Sequence, residues 1–130
     1  MASVHFHVVA LDCPEPLELA RFYSALTGLE VEPLGDVAPE EVTWIELLND
    51  EKPTIAFQQV ERFVAPTWPD GPLPQQLHLD FYVDDLDAGE RHALSLGATK
   101  TEFQPGITFR VYLDPVGHPF CLVLHPDNRP

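Results

Sequence analysis

The fold is decided by a stretch in the second half of the chain, residues 76–83, which reads QLHLDFYV. Its apolar and polar residues alternate strictly, as in a half-buried β-strand. Leu77, Leu79, Phe81 and Val83 are predicted to face a helix, and His78, Asp80 and Tyr82 share the other side. Because unpaired buried polar groups are costly, that second side is predicted to face solvent or a wet, ligand-sized cavity.

A helix is predicted after this strand, and the same order of elements occurs earlier in the chain. Asp84 is a suitable N-cap, and Gly97 follows the helix. In the first half, a strand at 4–11 precedes a helix that starts near Pro16 and ends before Gly28. The remaining strands are predicted at 29–33, 43–48, 54–60, 98–103, 107–113 and 120–124.

This repeated order predicts an α+β fold of two tandem βαβββ modules. Such repeats bury their apolar faces against one another, so the modules should form a curved, barrel-like mixed sheet around a cavity, with the helices outside. The chain is then one domain, residues 1–130, with module one at 1–60, a proline-rich linker at 61–75 and module two at 76–130. The alternative is an accidental similarity within an ordinary α+β domain.

Composition excludes several partners. The 130 residues include 21 acidic and only 7 basic side chains, a formal net charge of −14. Such a surface repels nucleic acid and anionic membranes, so neither is predicted as a partner. Two cysteines make no disulfide framework, and the N-terminus has no signal-peptide pattern, so a cytoplasmic location is predicted.

Three motifs resemble the vicinal-oxygen-chelate superfamily, which includes glyoxalase I, extradiol dioxygenases and the fosfomycin- and bleomycin-resistance proteins. They are RFYSALTG at 21–28, HLDFYVDD at 78–85 and LDPVGHPFC at 113–121. The resemblance covers nearly the whole chain and is strongest to small bacterial glyoxalase-like domain proteins. It implies the two-module fold and a homodimer. It says little about function, because one scaffold carries many chemistries.

The resemblance also implies where a metal would bind, since metal-using members place ligands on the first and last strands of each module. Those positions fall on Val8, His78 and Cys121, with Gln58 or Ala56 as the fourth. Valine cannot ligate, an amide is a weak ligand, and a thiol is soft and favours zinc. The expectation is therefore no complete metal site and no cofactor, with His78 the one metal candidate and a divalent ion kept as the alternative.

The predicted pocket leads to three functional hypotheses. The first is binding or sequestration of a small metabolite or antibiotic without chemistry. The second is a glyoxalase-like lyase or isomerase acting on a small oxygenated metabolite, with His78 and Asp80 as base and orienter or with a divalent metal. The third is an interaction module without a cavity. A buried, inert thiol is expected at Cys121 rather than a nucleophile. The predicted ligand-binding residues are Val8, Asp12, Trp44, Phe57, Gln58, His78, Asp80, Tyr112 and Cys121, with Phe109 as a further wall.

Overall fold

The computed structural model describes Ser3 and residues 5–130, and the chain divides into two compact units. The N-terminal unit is Met1–Phe63 and the C-terminal unit is Val64–Pro130. Each unit contains one helix and a four-stranded mixed sheet in the order βαβββ. The predicted α+β fold class and the two βαβββ modules are therefore confirmed.

The N-terminal unit has its four strands in the order β1-β4-β3-β2. Strands β1 and β4 run parallel, whereas β3 is antiparallel to both of its neighbours. A short 3₁₀ turn lies at Pro39–Glu41. The elements are β1 at Val9–Cys13, α1 at Pro16–Thr27, β2 at Glu30–Val31, β3 at Trp44–Asn49 and β4 at Lys52–Gln59.

Helix α1 covers one face of this sheet with its apolar side. The ring of Tyr23 stacks on that of Phe57 in β4, with centroids 5.7 Å apart, and both residues are fully buried. The helix ends at Gly28, which adopts a left-handed conformation with φ of 81°. Glycine adopts that conformation without the strain that a Cβ atom causes, as the sequence predicted.

The C-terminal unit repeats this topology with strand order β5-β8-β7-β6. Strands β5 and β8 are parallel, and the other two pairs are antiparallel. A second 3₁₀ turn lies at Pro126–Asn128. The elements are β5 at Leu79–Val83, α2 at Leu86–Ser95, β6 at Thr99–Lys100, β7 at Phe109–Leu113 and β8 at Pro119–Leu124.

Helix α2 packs very closely on its sheet. A Cβ atom added to Gly89 would lie 2.9 Å from Val83 Cγ1 and 3.2 Å from Leu122 Cδ1, so only glycine allows this approach. The hydroxyl of Tyr112 in β7 donates a hydrogen bond of 3.0 Å to Glu90 Oε1 on the helix. Close backbone approach and this bond together fix the helix on the sheet.

Several predicted boundaries are wrong. The strand predicted at 76–83 is β5 at Leu79–Val83, and the strand predicted at 98–103 is only β6 at Thr99–Lys100. The first strand begins at Val9 rather than at Val4, which lies outside the described residues. The N-cap of α2 is Asp85 rather than Asp84, because Asp85 Oδ1 accepts a hydrogen bond of 3.0 Å from the backbone N–H of Ala88. That bond lowers the pKa of the Asp85 carboxyl by favouring its charged form.

Neither α1 nor α2 is long and apolar enough to cross a membrane, and the same holds for every helix within Ser3 and residues 5–130.

Candidate functional site

The candidate site lies on the face of the C-terminal sheet that points away from α2. Strand register brings its side chains together, since Asp80 in β5 and Val111 in β7 both pair with Cys121 in β8. Residues two positions apart on a strand share a face, so His78 and Val123 also belong to this side. Its core is therefore built from three adjacent strands.

A concavity of about 410 Å³, here called the C-terminal cavity, opens on this face. Its walls are mainly apolar, with a few polar groups that converge from β5 and β8. Ordinary small-molecule sites have this composition, and their volumes start at about 300 Å³. The lining residues are Trp68, Gln75, His78, Asp80, Pro105, Thr108, Phe109, Val111, Pro119, Cys121, Val123 and Arg129.

The imidazole of His78 and the carboxylate of Asp80 are in contact in this cavity. The distance between His78 Nε2 and Asp80 Oδ1 is 3.2 Å, and the two side chains are 44% and 57% exposed. Both residues were predicted to share a face and to pair. Because both side chains are open to solvent, water screens their attraction, and the pair contributes little to stability.

The third polar group, the Cys121 thiol, is 7% exposed. Burial raises its pKa to about 12, and the negative charge and hydrogen bonding of Asp80 act in the same direction. The thiol is therefore protonated at neutral pH. A protonated thiol is a poor nucleophile, which agrees with the expectation of an inert cysteine.

These three side chains also form a group that could hold a metal. One donor atom each from His78, Asp80 and Cys121 lies within 4.8 Å of the other two, the only such group of three or more among the described residues. An imidazole nitrogen, a carboxylate oxygen and a sulfur are ligand types that zinc accepts. The donor set thus fits a soft divalent ion. Asp80 was not among the metal positions that the sequence suggested, although its place on the same face as His78 was a usable signal.

In the N-terminal unit, three other predicted site residues come together. Gln58 in β4 pairs with Asp12 in β1 and with Trp44 in β3, and its Nε2 donates a hydrogen bond of 3.3 Å to Asp12 Oδ1. The register answers the question that the sequence left open between Gln58 and Ala56: Ala10 pairs with Ala56 as Asp80 pairs with Cys121, so Ala56 is the counterpart of Cys121. Val8 is half-buried and directly precedes β1.

The prediction that Phe57 and Tyr112 bind the ligand is wrong, because neither side chain lies on the predicted side of its sheet. Phe57 stacks on Tyr23 of α1, and Tyr112 bonds to Glu90 of α2; both are fully buried against a helix. Phe57 is adjacent to Gln58, and Tyr112 is adjacent to Val111. Side chains of adjacent strand residues point to opposite faces of a sheet. They are core residues and not cavity walls.

Sequence reasoning missed several cavity residues. Trp68 and Gln75 come from the segment interpreted as a linker, and Arg129 comes from the C-terminal end. Arg129 is held there because its Nε donates a hydrogen bond of 2.9 Å to the backbone oxygen of Leu124. Irregular segments have no periodicity, so no pattern in the sequence assigns a face to their side chains.

Within the motif LDPVGHPFC, Asp114 has a structural role. Asp114 is 3% exposed, and its Oδ1 accepts hydrogen bonds from the backbone N–H groups of Val116, Gly117 and His118 at 3.0, 2.9 and 3.0 Å. The carboxylate thereby closes the turn between β7 and β8. The turn places Cys121 in register opposite Asp80.

The two βαβββ units define a protein of the glyoxalase fold class. The chain belongs to the glyoxalase-like domain family, whose family model matches residues 8–123. No match to a functionally curated protein was found.

Solved structures share this fold at low sequence identity. A glyoxalase/bleomycin resistance protein/dioxygenase family enzyme from Burkholderia phytofirmans PsJN is 18% identical, with a TM-score of 0.65 over 90% of this chain and 95% of that one. The fosfomycin resistance protein FosX from Mesorhizobium loti is 17% identical, with a TM-score of 0.65 over 95% of this chain and 92% of that one. These likenesses show the fold alone.

Proposed function

We propose that this chain binds or sequesters a small metabolite or antibiotic in the C-terminal cavity. The observation that carries the proposal is the cavity of about 410 Å³, whose apolar walls surround the polar side chains of His78, Asp80 and Cys121. Apolar walls supply affinity, and a few convergent polar groups orient the ligand.

The kinds of protein that share the fold support this proposal. Two of them carry names that refer to bleomycin or fosfomycin resistance. A net charge of −14 favours a ligand that carries positive charge, because the field of the protein attracts it. A cationic, partly apolar compound therefore fits the cavity best. A cytoplasmic location and a homodimer are part of the same proposal.

The proposal does not include the complete set of metal ligands that the family resemblance implies, because Val8 has no donor atom. His78, Asp80 and Cys121 are the residues that would hold an ion in the C-terminal unit. A divalent ion there would supply Lewis-acid polarisation of a ligand oxygen. Ligand binding by apolar walls needs no such ion, so the proposal predicts binding to metal-free protein.

Thermal-shift screening against a panel of metabolites and antibiotics tests the proposal. A true ligand raises the melting temperature in proportion to the logarithm of its concentration once it exceeds Kd. Val123→Trp should fill the cavity and abolish the shift, whereas Val64→Trp, at an exposed position outside the cavity lining, should keep it. If no compound stabilises the protein, or if V123W leaves the shift intact, the proposal is wrong.

A second candidate function rests on the contact of 3.2 Å between His78 Nε2 and Asp80 Oδ1. A histidine oriented by a carboxylate is suited to general acid–base catalysis in a lyase or isomerase. Any compound that binds should then also be converted. Turnover that falls by about 100-fold or more in H78Q, with binding retained, would favour this enzyme over the binding protein.

A further inference from the structure

We propose that His78, Asp80 and Cys121 form a three-ligand zinc site contained within the C-terminal unit. The site goes beyond the proposed ligand binding and does not depend on it, because metal binding is measured without an organic ligand. The donors are one imidazole nitrogen, one carboxylate oxygen and one sulfur.

Strand geometry brings the three donors together. His78 directly precedes β5 and Asp80 is its second residue, so in continuous extended chain the two side chains point to the same side. Cys121 lies directly opposite Asp80 in the parallel pairing of β5 with β8. The backbone thus fixes all three Cα positions, and only side-chain torsions remain to be set.

The distances agree with tetrahedral coordination. Ligand bonds of about 2.0 Å at tetrahedral angles place nitrogen and oxygen about 3.3 Å apart. His78 Nε2 and Asp80 Oδ1 are 3.2 Å apart, and all three donor atoms lie within 4.8 Å of one another. Because the His78 and Asp80 side chains are 44% and 57% exposed, they can rotate the remaining distance toward the buried sulfur without disturbing the core.

Charge balance also suits a doubly charged ion. On binding, the Cys121 thiol gives its proton to solvent and its sulfur bonds to the ion as a thiolate. The thiolate and the Asp80 carboxylate then neutralise the two positive charges, and His78 binds as the neutral imidazole. An uncompensated charge next to a residue that is 7% exposed would be costly, and this arrangement leaves none.

Sulfur decides which ion the site selects. Magnesium and manganese prefer oxygen ligands, whereas thiolates favour zinc and other soft ions. Asp80 lies outside the positions that the family resemblance assigns to metal ligands, and Cys121 supplies sulfur rather than a carboxylate at one of them. The chain should therefore bind zinc in preference to the harder divalent ions.

The test uses the full chain, freed of metal with a chelator and then titrated with Zn²⁺ against a chromophoric competitor. One equivalent should bind, and Mg²⁺ in large excess should not displace it. Co²⁺ should give the intense visible bands of a tetrahedral site and a near-ultraviolet sulfur-to-metal charge-transfer band. That band reports thiolate ligation directly and is independent of any enzymatic activity.

Matched variants assign the ligands. Cys121→Ser should remove the charge-transfer band, whereas Cys13→Ala, at the only other cysteine, should keep it. His78→Gln and Asp80→Asn, both at exposed positions, should each weaken Zn²⁺ binding by at least about 10- to 100-fold, the loss typical of removing even a supporting group. His5→Gln, at another exposed histidine, should change nothing.

Several results would overturn the proposal. The first is that wild-type protein fails to bind Zn²⁺ stoichiometrically. The second is a Co²⁺ spectrum without the charge-transfer band. The third is a zinc affinity that is unchanged in both H78Q and D80N. Because these two substitutions lie at the surface, the proposal stays testable even if C121S fails to fold. Thermal-shift screening of zinc-free protein separates the outcomes, since a ligand that stabilises it upholds the proposed function whatever the zinc result.

Discussion

The surroundings of Cys121 determine the pKa of its thiol. Burial and the neighbouring Asp80 raise the pKa of its thiol to about 12, so only a minute fraction is thiolate at neutral pH. We expect native Cys121 to react with iodoacetamide far more slowly at pH 7.5 than a free thiol of ordinary pKa. Mass spectrometry of samples quenched at successive times measures the rate of Cys121 alkylation.

Since the folded pKa is raised, the rate should rise about tenfold per pH unit and level off only as the pH approaches that value. Asp80→Asn removes the charge that acts alongside burial, so it should lower the thiol pKa and speed the reaction. Rapid labelling of wild-type Cys121 at pH 7.5, at the rate found in denaturant, would contradict the account.

Asp114 is the residue on which the β7–β8 turn depends. Asp114→Ala leaves three backbone N–H groups without their acceptor, so we expect the free energy of unfolding to fall by about 3 kcal/mol. Asp36→Ala, at an exposed aspartate, should cost less than about 0.5 kcal/mol. Urea denaturation followed by circular dichroism measures both. Equal stability of the two variants would show that the turn does not rely on this carboxylate.

At the scale of elements, the approach of α2 to its sheet makes a prediction at Gly89. Alanine there would place its Cβ 2.9 Å from Val83 Cγ1, so Gly89→Ala should destabilise the protein by about 1–3 kcal/mol despite the better helix propensity of alanine. Chemical denaturation gives the value.

The pair Arg91→Ala and Arg91→Gly, at an exposed position of the same helix, calibrates the propensity difference, which should favour alanine by about 1 kcal/mol. A Gly89→Ala variant that gains this same amount would mean that helix and sheet are not in close contact.

The elements also show what sequence patterns can predict. Strict alternation in β5 correctly separated Leu79 and Phe81 from His78 and Asp80, because one face is covered by a helix and the other is open. The same rule places Phe57 on the face covered by the helix, because it is adjacent to the exposed Gln58 and adjacent residues in a strand point to opposite sides. Strand ends were less predictable, because they depend on hydrogen-bond partners distant in sequence.

At the scale of the whole molecule, the repeated βαβββ order and the family motifs were sufficient to predict the fold. Within those motifs Asp114 stabilises a turn and Tyr23 packs in the core, so these two residues indicate structure and not chemistry. Only some of the residues that line the cavity could be predicted from the sequence. His78, Asp80 and Cys121 could be inferred from strand periodicity, whereas Trp68 and Arg129 reach it from irregular chain, where position is set by tertiary contacts alone.

The central claim is that a small molecule binds in the C-terminal cavity. The most direct measurement is a two-dimensional NMR titration of isotopically labelled protein with the compound that gives the largest thermal shift. The account predicts saturable shifts of the amide signals of His78, Asp80, Phe109, Cys121 and Val123, absent in the V123W variant. Saturable shifts confined to residues outside the cavity lining, or undiminished in V123W, would contradict it.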